Sequence, residues 1–119
     1  MKGGGFVNKV VLSGRLTAEP VLRKTGTGNS MVTFCIAVRS TAERTNFLNC
    51  VVYEKLADLL YKNVTKGDKI TILGTLSQRV YEGKDGMKRD IVEILVQEAE
   101  FQLKLQDADV VEEPKSSIR

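Results

Sequence analysis

A strand that has to bend within its own length sets the first constraint on this 119-residue chain. From Asn8 onward, apolar and polar side chains alternate. Val10, Leu12 and Leu16 fall on one face and Val11, Ser13 and Arg15 on the other. Gly14 interrupts the alternation, and a side chain missing there implies a sharp bend or the close approach of another backbone. Pro20 has no N–H to give a central strand, so the run cannot simply continue. Val21-Leu22 then leads into the basic pair Arg23-Lys24. Such a segment reads as a bent, edge-like strand over residues 6–17 in a small β domain.

The following segments keep that period. Thr25-Gly-Thr-Gly-Asn-Ser30 is turn chemistry. A second strand is predicted over 31–39, where Val32, Phe34, Ile36 and Val38 alternate with Thr33, Cys35, Ala37 and Arg39. A polar connection over 40–45 precedes a third strand over 46–53. Residues 54–63 carry the one good helical pattern, with Leu56, Leu59, Leu60 and Val64 recurring at spacings of three and four. So short a helix depends on packing against the sheet. After Gly67-Asp68 comes a fourth strand over 69–81, then Glu82-Gly-Lys-Asp-Gly86 as a hairpin tip with an Asp-Gly turn. A fifth strand over 88–96 resumes at 99–103. Three strands, a helix and two strands is the order of the all-β, five-stranded oligonucleotide/oligosaccharide-binding (OB) barrel, with its short helix between strands three and four. Immunoglobulin-like sandwiches, with about seven strands and no such helix, fit less well.

Composition bounds the rest. With 42% apolar residues, the chain can bury one modest core, so residues 1–105 are expected to form one domain followed by a short flexible tail over 106–119. No apolar run approaches the roughly 18 residues of a spanning helix. Met-Lys-Gly-Gly-Gly lacks the apolar segment of a signal peptide, so a cytoplasmic protein is expected. Cys35 and Cys50 both lie in apolar, strand-like runs. They could pair if their strands were adjacent, but a cytosolic setting favours free thiols. The chain has no histidine, which removes the commonest general base and the commonest metal ligand together. No nucleophile–base pair is visible, so neither an enzyme nor a cofactor or metal is expected. Asp107, Asp109, Glu112 and Glu113 read as solvated tail charge. Residues 1–105 hold 16 Lys/Arg against 11 Asp/Glu, and the last fourteen hold two against four. A basic body with a mildly acidic tail suits a polyanionic partner.

Single-stranded nucleic acid is held by aromatic faces on which bases stack and by cations that follow the phosphates. Phe47 begins the third strand, Tyr53 ends it, and Tyr81 precedes the last hairpin, with Arg44, Lys55 and Arg79 close to each in turn. Phe34 and Phe101 read as core. Phe6 lies too near the glycine-rich start to assign, and Leu48 competes with Phe47 for the inward position. For Tyr53 and Tyr81, spacing alone supports stacking and amphipathic rim packing equally.

Several ordered motifs bear a resemblance to a known family. Asn-Lys-Val-x-Leu-x-Gly-Arg-Leu-x-x-x-Pro-x-Leu-Arg from Asn8 to Arg23 resembles the first strand of bacterial-type single-stranded DNA-binding proteins. Asn46-Phe-Leu-Asn-Cys-Val-Val-Tyr53-Glu-Lys55-Leu-Ala resembles their third strand, and Lys66-Gly-Asp-Lys-Ile-Thr-Ile-Leu-Gly74-Thr-Leu their fourth. Arg79-Val-Tyr81-Glu-Gly-Lys-Asp-Gly86 resembles the hairpin that carries a further stacking aromatic. The likeness runs in one order over about residues 7–104. It implies sequence-tolerant binding and protection of single-stranded DNA in replication, recombination and repair, without catalysis. By the same resemblance Phe47, Tyr53 and Tyr81 would stack on bases. Lys55, Lys66, Arg79 and Arg89 would meet phosphates, with Arg23 the weaker candidate. A homotetramer of paired dimers, joined at first-strand edges, is also implied, with a dimer as the alternative.

The chain departs from the family pattern in three places. Ala42 and a shortened loop stand where relatives often place a tryptophan. Phe and Tyr replace Trp at the other stacking positions. The end, Ser-Ser-Ile-Arg119, lacks the acidic Pro-Phe tip, so poor docking of replication and repair enzymes is expected. A dimeric primosomal OB protein of replication restart and a protein-interaction OB module are the competing assignments.

Overall fold

The computed structural model describes residues 5–103, so the expected tail over 106–119 lies outside the described residues. β1 (Val10–Leu16), β2 (Val21–Lys24), β3 (Ser30–Thr41) and β4 (Arg44–Tyr53) precede α1 (Glu54–Asn63). β5 (Lys69–Glu82) and β6 (Lys88–Glu100) follow it. The strand order is β1-β5-β6-β4-β3-β2, and an additional β1–β3 pairing closes the sheet into a barrel. This is the OB fold, in which β1 and β2 are the two arms of one bent first strand.

The bend has a local cause. β1 lies antiparallel to β5 from Val10 to Arg15, and at Arg15 and Leu16 it also pairs with Ala37 and Ile36 of β3. Serving two partners at once brings β1 hard against β3. A Cβ on Gly14 would lie 2.5 Å from the Ala37 carbonyl oxygen, so glycine permits the closure. Between the arms the Thr17 N–H donates to the Cys35 carbonyl at 3.0 Å, and Pro20 is buried. β2 then resumes pairing with β3 from Val21 opposite Thr33 to Lys24 opposite Ser30. A single continuous strand is thus replaced by two arms, because Pro20 cannot donate in mid-ladder.

Inside the barrel the period-two pattern behaves as expected. Val32, Phe34 and Ile36 of β3 meet Cys50 and Val52 of β4, Ile70 and Ile72 of β5, and Ile94 and Val96 of β6 in one buried cluster. Phe101 joins it. α1 contributes Ala57, Leu60 and Val64, while Leu59 is 45% exposed. The core-facing stripe is therefore centred on Ala57 and Leu60, about one position from where leucines alone would place it. Small Ala57 lets the helix approach closely. Asp58 anchors it to β3 by accepting a 2.5 Å hydrogen bond from the Ser30 hydroxyl.

β5 and β6 form the longest ladder, running from Thr71 opposite Glu100 to Glu82 opposite Lys88 with a register shift at Leu73/Gly74. Gly74 sits at that bulge, where an added Cβ would collide with the Leu95 carbonyl. The two cysteines lie on adjacent strands but are free. Cys50 faces Phe34 and Cys35 faces Asn49, so the pleat sends their side chains to opposite faces. Among the described residues no helix is long and apolar enough to cross a membrane.

Candidate nucleic-acid interface

Phe47 resolves the competition within β4. Leu48 turns toward the core, and Phe47, opposite Ala37, is 66% exposed. A phenyl ring held open on a strand contributes nothing to the core and leaves a free π face. Tyr53 ends β4 at 39% exposed. The next residue, Glu54, has φ of +63° and is not glycine, a left-handed backbone that costs roughly 1–2 kcal/mol for an L-residue. Strained backbone of this kind clusters at functional sites, and here it adjoins an exposed aromatic.

Arg79 is the candidate cation with a fixed partner inside the barrel. Its Nε donates to Glu93 Oε2 at 2.8 Å, with the guanidinium about half exposed and the carboxylate buried. The Glu93 hydrogen bond is the main cause of an Arg79 pKa raised still further, with smaller contributions from the phenols of Tyr53 and Tyr81. Tyr81 lies two residues further along β5 from Arg79, so the two side chains share a face of the strand. Arg79 Nε is committed to Glu93, and its Nη groups make no hydrogen bond among the described residues. The result is a cation fixed in direction by Glu93, two residues from the exposed Tyr81 on the same strand, with outward donors free for an anion.

The hairpin tip supplies the next cation. Arg89 lies directly opposite Tyr81 in the β5–β6 ladder, and its Nη2 donates to Asp85 Oδ2 at 2.6 Å. Asp85 Oδ1 accepts from the Met87 N–H, and this bond first and the Arg89 bond second hold its carboxyl below the usual range. Gly86, with φ of +80°, follows a turn closed by its N–H on the Gly83 carbonyl. Asp85-Gly86 thus forms the expected hairpin tip. Part of the Arg89 charge is already balanced by Asp85.

The register places two other candidates beside Tyr53. Arg23 of β2 faces Met31 of β3, and Met31 faces Tyr53, so the three form one row across the sheet. Lys55 is exposed in the first turn of α1, two residues after Tyr53. Lys66 is placed elsewhere. It lies in the turn between α1 and β5, where its N–H donates to Glu19 Oε2 at 3.3 Å, against the connection between β1 and β2. Its side chain is exposed.

Glu93 escaped the sequence reading. Its signal is a lone carboxylate inside the apolar run Ile91-Val92-Glu93-Ile94-Leu95-Val96, since a charge buried there needs a partner. Among the described residues, no three His, Cys, Asp or Glu side chains converge on a metal-sized site.

The model of the single-strand binding protein family matches residues 7–102. The chain belongs to the single-strand binding protein family. A single-stranded DNA-binding protein of Bacillus cereus is 37% identical over 102 residues, an alignment covering 81% of this chain and 60% of that protein. Single-stranded DNA-binding protein 1 of Staphylococcus aureus is 37% identical over 102 residues, covering 81% and 61%. A single-stranded DNA-binding protein of Clostridium tetani is 38% identical over 101 residues, covering 80% and 70%. The chain spans about three fifths of the length of the first two. The matched region in this family member contains the barrel and every candidate residue above.

Proposed function

We propose that this family member binds single-stranded DNA with little regard to sequence, and that Phe47, Tyr53 and Tyr81 provide the stacking faces. The observation that carries the proposal is the exposure of all three rings on the sheet, with the Arg79 guanidinium held by Glu93 two residues from Tyr81. Rings beside a directed guanidinium suit an unpaired base and its phosphate, whereas a duplex hides both base faces. Stacking contributes roughly 1–3 kcal/mol per base, and phosphate contacts add counterion release. Arg23 and Lys55 extend the cationic margin along the Tyr53 row, and Arg89 continues it to the hairpin tip. Lys66 takes a phosphate only from a strand that passes the β1–β2 side.

By coating exposed strands in the cytoplasm, the protein would keep them from reannealing and from nucleases during replication, recombination and repair. Assembly follows from the free edge of β1. Over Val10–Gly14 one side pairs with β5, and pairing with β3 begins only at Arg15, so a strand edge is open to a second copy. Edge pairing and a further pairing of dimers give a tetramer and multiply the contacts to one strand.

Competition on labelled oligo-dT tests the proposal. Unlabelled oligo-dT should displace the label at far lower concentration than duplex of equal length, and equal displacement by duplex would refute it.

A further inference from the structure

Three cations outside the aromatic group share one feature of the barrel. Where β1 leaves β5 to meet β3, the outer surface holds an open cleft of about 370 Å³ whose walls include Arg15, Arg39 and Lys69. Ser13 and Thr45 add hydroxyls, and no carboxylate lines the cleft. Neither of the two ion pairs among the described residues involves any of these cations. Arg15 spends one Nη1 donor on the Gly67 carbonyl at 3.0 Å, and the Ser13 hydroxyl shares a 2.7 Å hydrogen bond with Thr71. The nearest acid in sequence, Asp68, is occupied by the N–H and hydroxyl of Thr65. The lining itself thus carries three positive charges and no negative one, an excess that a bound anion would relieve.

The register joins this cleft to the proposed stacking surface. Ala37 is opposite Arg15 on one side and Phe47 on the other, and Arg15 is in turn opposite Lys69. Phe47, Ala37, Arg15 and Lys69 thus form one cross-strand row, and residues paired across a ladder point to the same face. Two residues further along the same face Arg39 is opposite Thr45, and a register shift separates this pair from the last one, Thr41 opposite Arg44. Bulges of this kind re-aim side chains. Phe47 and Arg15 are two inter-strand spacings apart, roughly 10 Å.

We propose that the cleft is a phosphate subsite of the nucleic-acid path, which takes a strand leaving Phe47 across β3 to the seam between β1 and β5. This rests on the single-strand assignment above. The ligand is the sugar–phosphate backbone. Two guanidinium forks and an ammonium suit phosphodiester oxygens, and the cleft is too open to enclose a base.

The test uses Arg39→Ala combined with Lys69→Ala, leaving Arg15 because of its bond to Gly67. Binding is measured against salt on oligo-dT of about 4 and about 16 nucleotides, the bounds of a single OB-fold site. On the longer strand the slope of log affinity against log salt should fall by about 1.4, two contacts at about 0.7 each. The shorter strand should be unaffected. The charge-preserving pair Arg39→Lys and Lys69→Arg should keep the wild-type slope. An unchanged slope on the longer strand, in a variant with wild-type circular dichroism, would overturn the subsite. Phe47→Ala run in parallel separates the two assignments. If it weakens both oligonucleotides and the seam variant weakens neither, the seam is excluded and single-strand binding stands. If the wild type binds neither oligonucleotide, both assignments fall.

Discussion

Arg79→Ala should injure the protein in two separable ways, because Arg79 both neutralises a buried acid and offers free donors outward. Glu93 is 6% exposed, and its Oε2 lies 2.8 Å from Arg79 Nε. Removing the guanidinium strands that carboxylate. Breaking a fully buried pair costs about 3–5 kcal/mol, but the Arg79 side chain is 46% exposed, so water screens the pair and reaches the vacated space. An expected loss of about 1–2 kcal/mol follows from that discount. Glu93→Gln in the same chain removes the stranded charge and should restore most of the loss. Binding should behave differently. The contact of Arg79 with phosphate is absent in both variants, so each should show a salt slope on oligo-dT lowered by about 0.7. Urea unfolding gives the first quantity, and fluorescence anisotropy of labelled oligo-dT at several salt concentrations gives the second. A double variant as unstable as Arg79→Ala would show that the ion pair is not the source of the loss. A wild-type slope in both would return Arg79 to a purely structural role.

Phe47→Ala and Tyr81→Ala should each weaken oligo-dT binding by about 1–3 kcal/mol with native circular dichroism, since both rings are exposed; unchanged affinity in both would remove them from the interface. Burial first, then Cys35 and Glu93, push the Cys50 thiol from its ordinary 9.0 up to about 12. Between these values the unfolded chain has lost the proton and the folded chain keeps it, so stability should fall as pH rises through that window by up to about 1.4 kcal/mol per pH unit. Cys50→Val should unfold with less pH dependence there, and identical profiles would show that Cys50 does not titrate differently on unfolding. Gly14→Ala puts a methyl 2.5 Å from the Ala37 carbonyl and should lower stability by about 1–3 kcal/mol, read as the urea midpoint.

Much of the fold was legible because the core strands alternate cleanly and the helix carries its own period. Residues 54–63 were marked as helical by leucine spacing, and α1 has those bounds. Leu59 misled because a leucine at the edge of a stripe counts in the pattern even when it faces water, while Ala57 counts for little and lies at the contact. The division of the first strand was signalled by Pro20, but the two-partner pairing of β1 is a long-range event with no local signature. Within the candidate site, Phe47, Tyr53, Tyr81 and Arg79 were visible as aromatics beside cations. The pairing of Arg79 with Glu93 was not, since their positions, fourteen residues apart, meet only through the hairpin register. Lys66 differs from these in its setting, since it lies in the turn between α1 and β5 with its N–H on Glu19.

Closure and binding surface have a common origin in this chain. Without a side chain at Gly14, β1 can approach β3 closely enough for Arg15 to pair with Ala37. That pairing completes the barrel and also sets Arg15 and Lys69 in the row that contains Phe47. At the other end of the sheet, the bulge at Gly74 fixes the register that puts Tyr81 opposite Arg89 and lets Arg79 reach Glu93. Each glycine stands where an added Cβ would collide with backbone, and each such point lies in a ladder that carries exposed side chains. A side chain introduced at either glycine would force the strands apart and displace cations and rings together, so binding and stability should decline in parallel in Gly14 variants. Substitutions of Phe47 or Lys69, which leave the ladders intact, should affect binding alone.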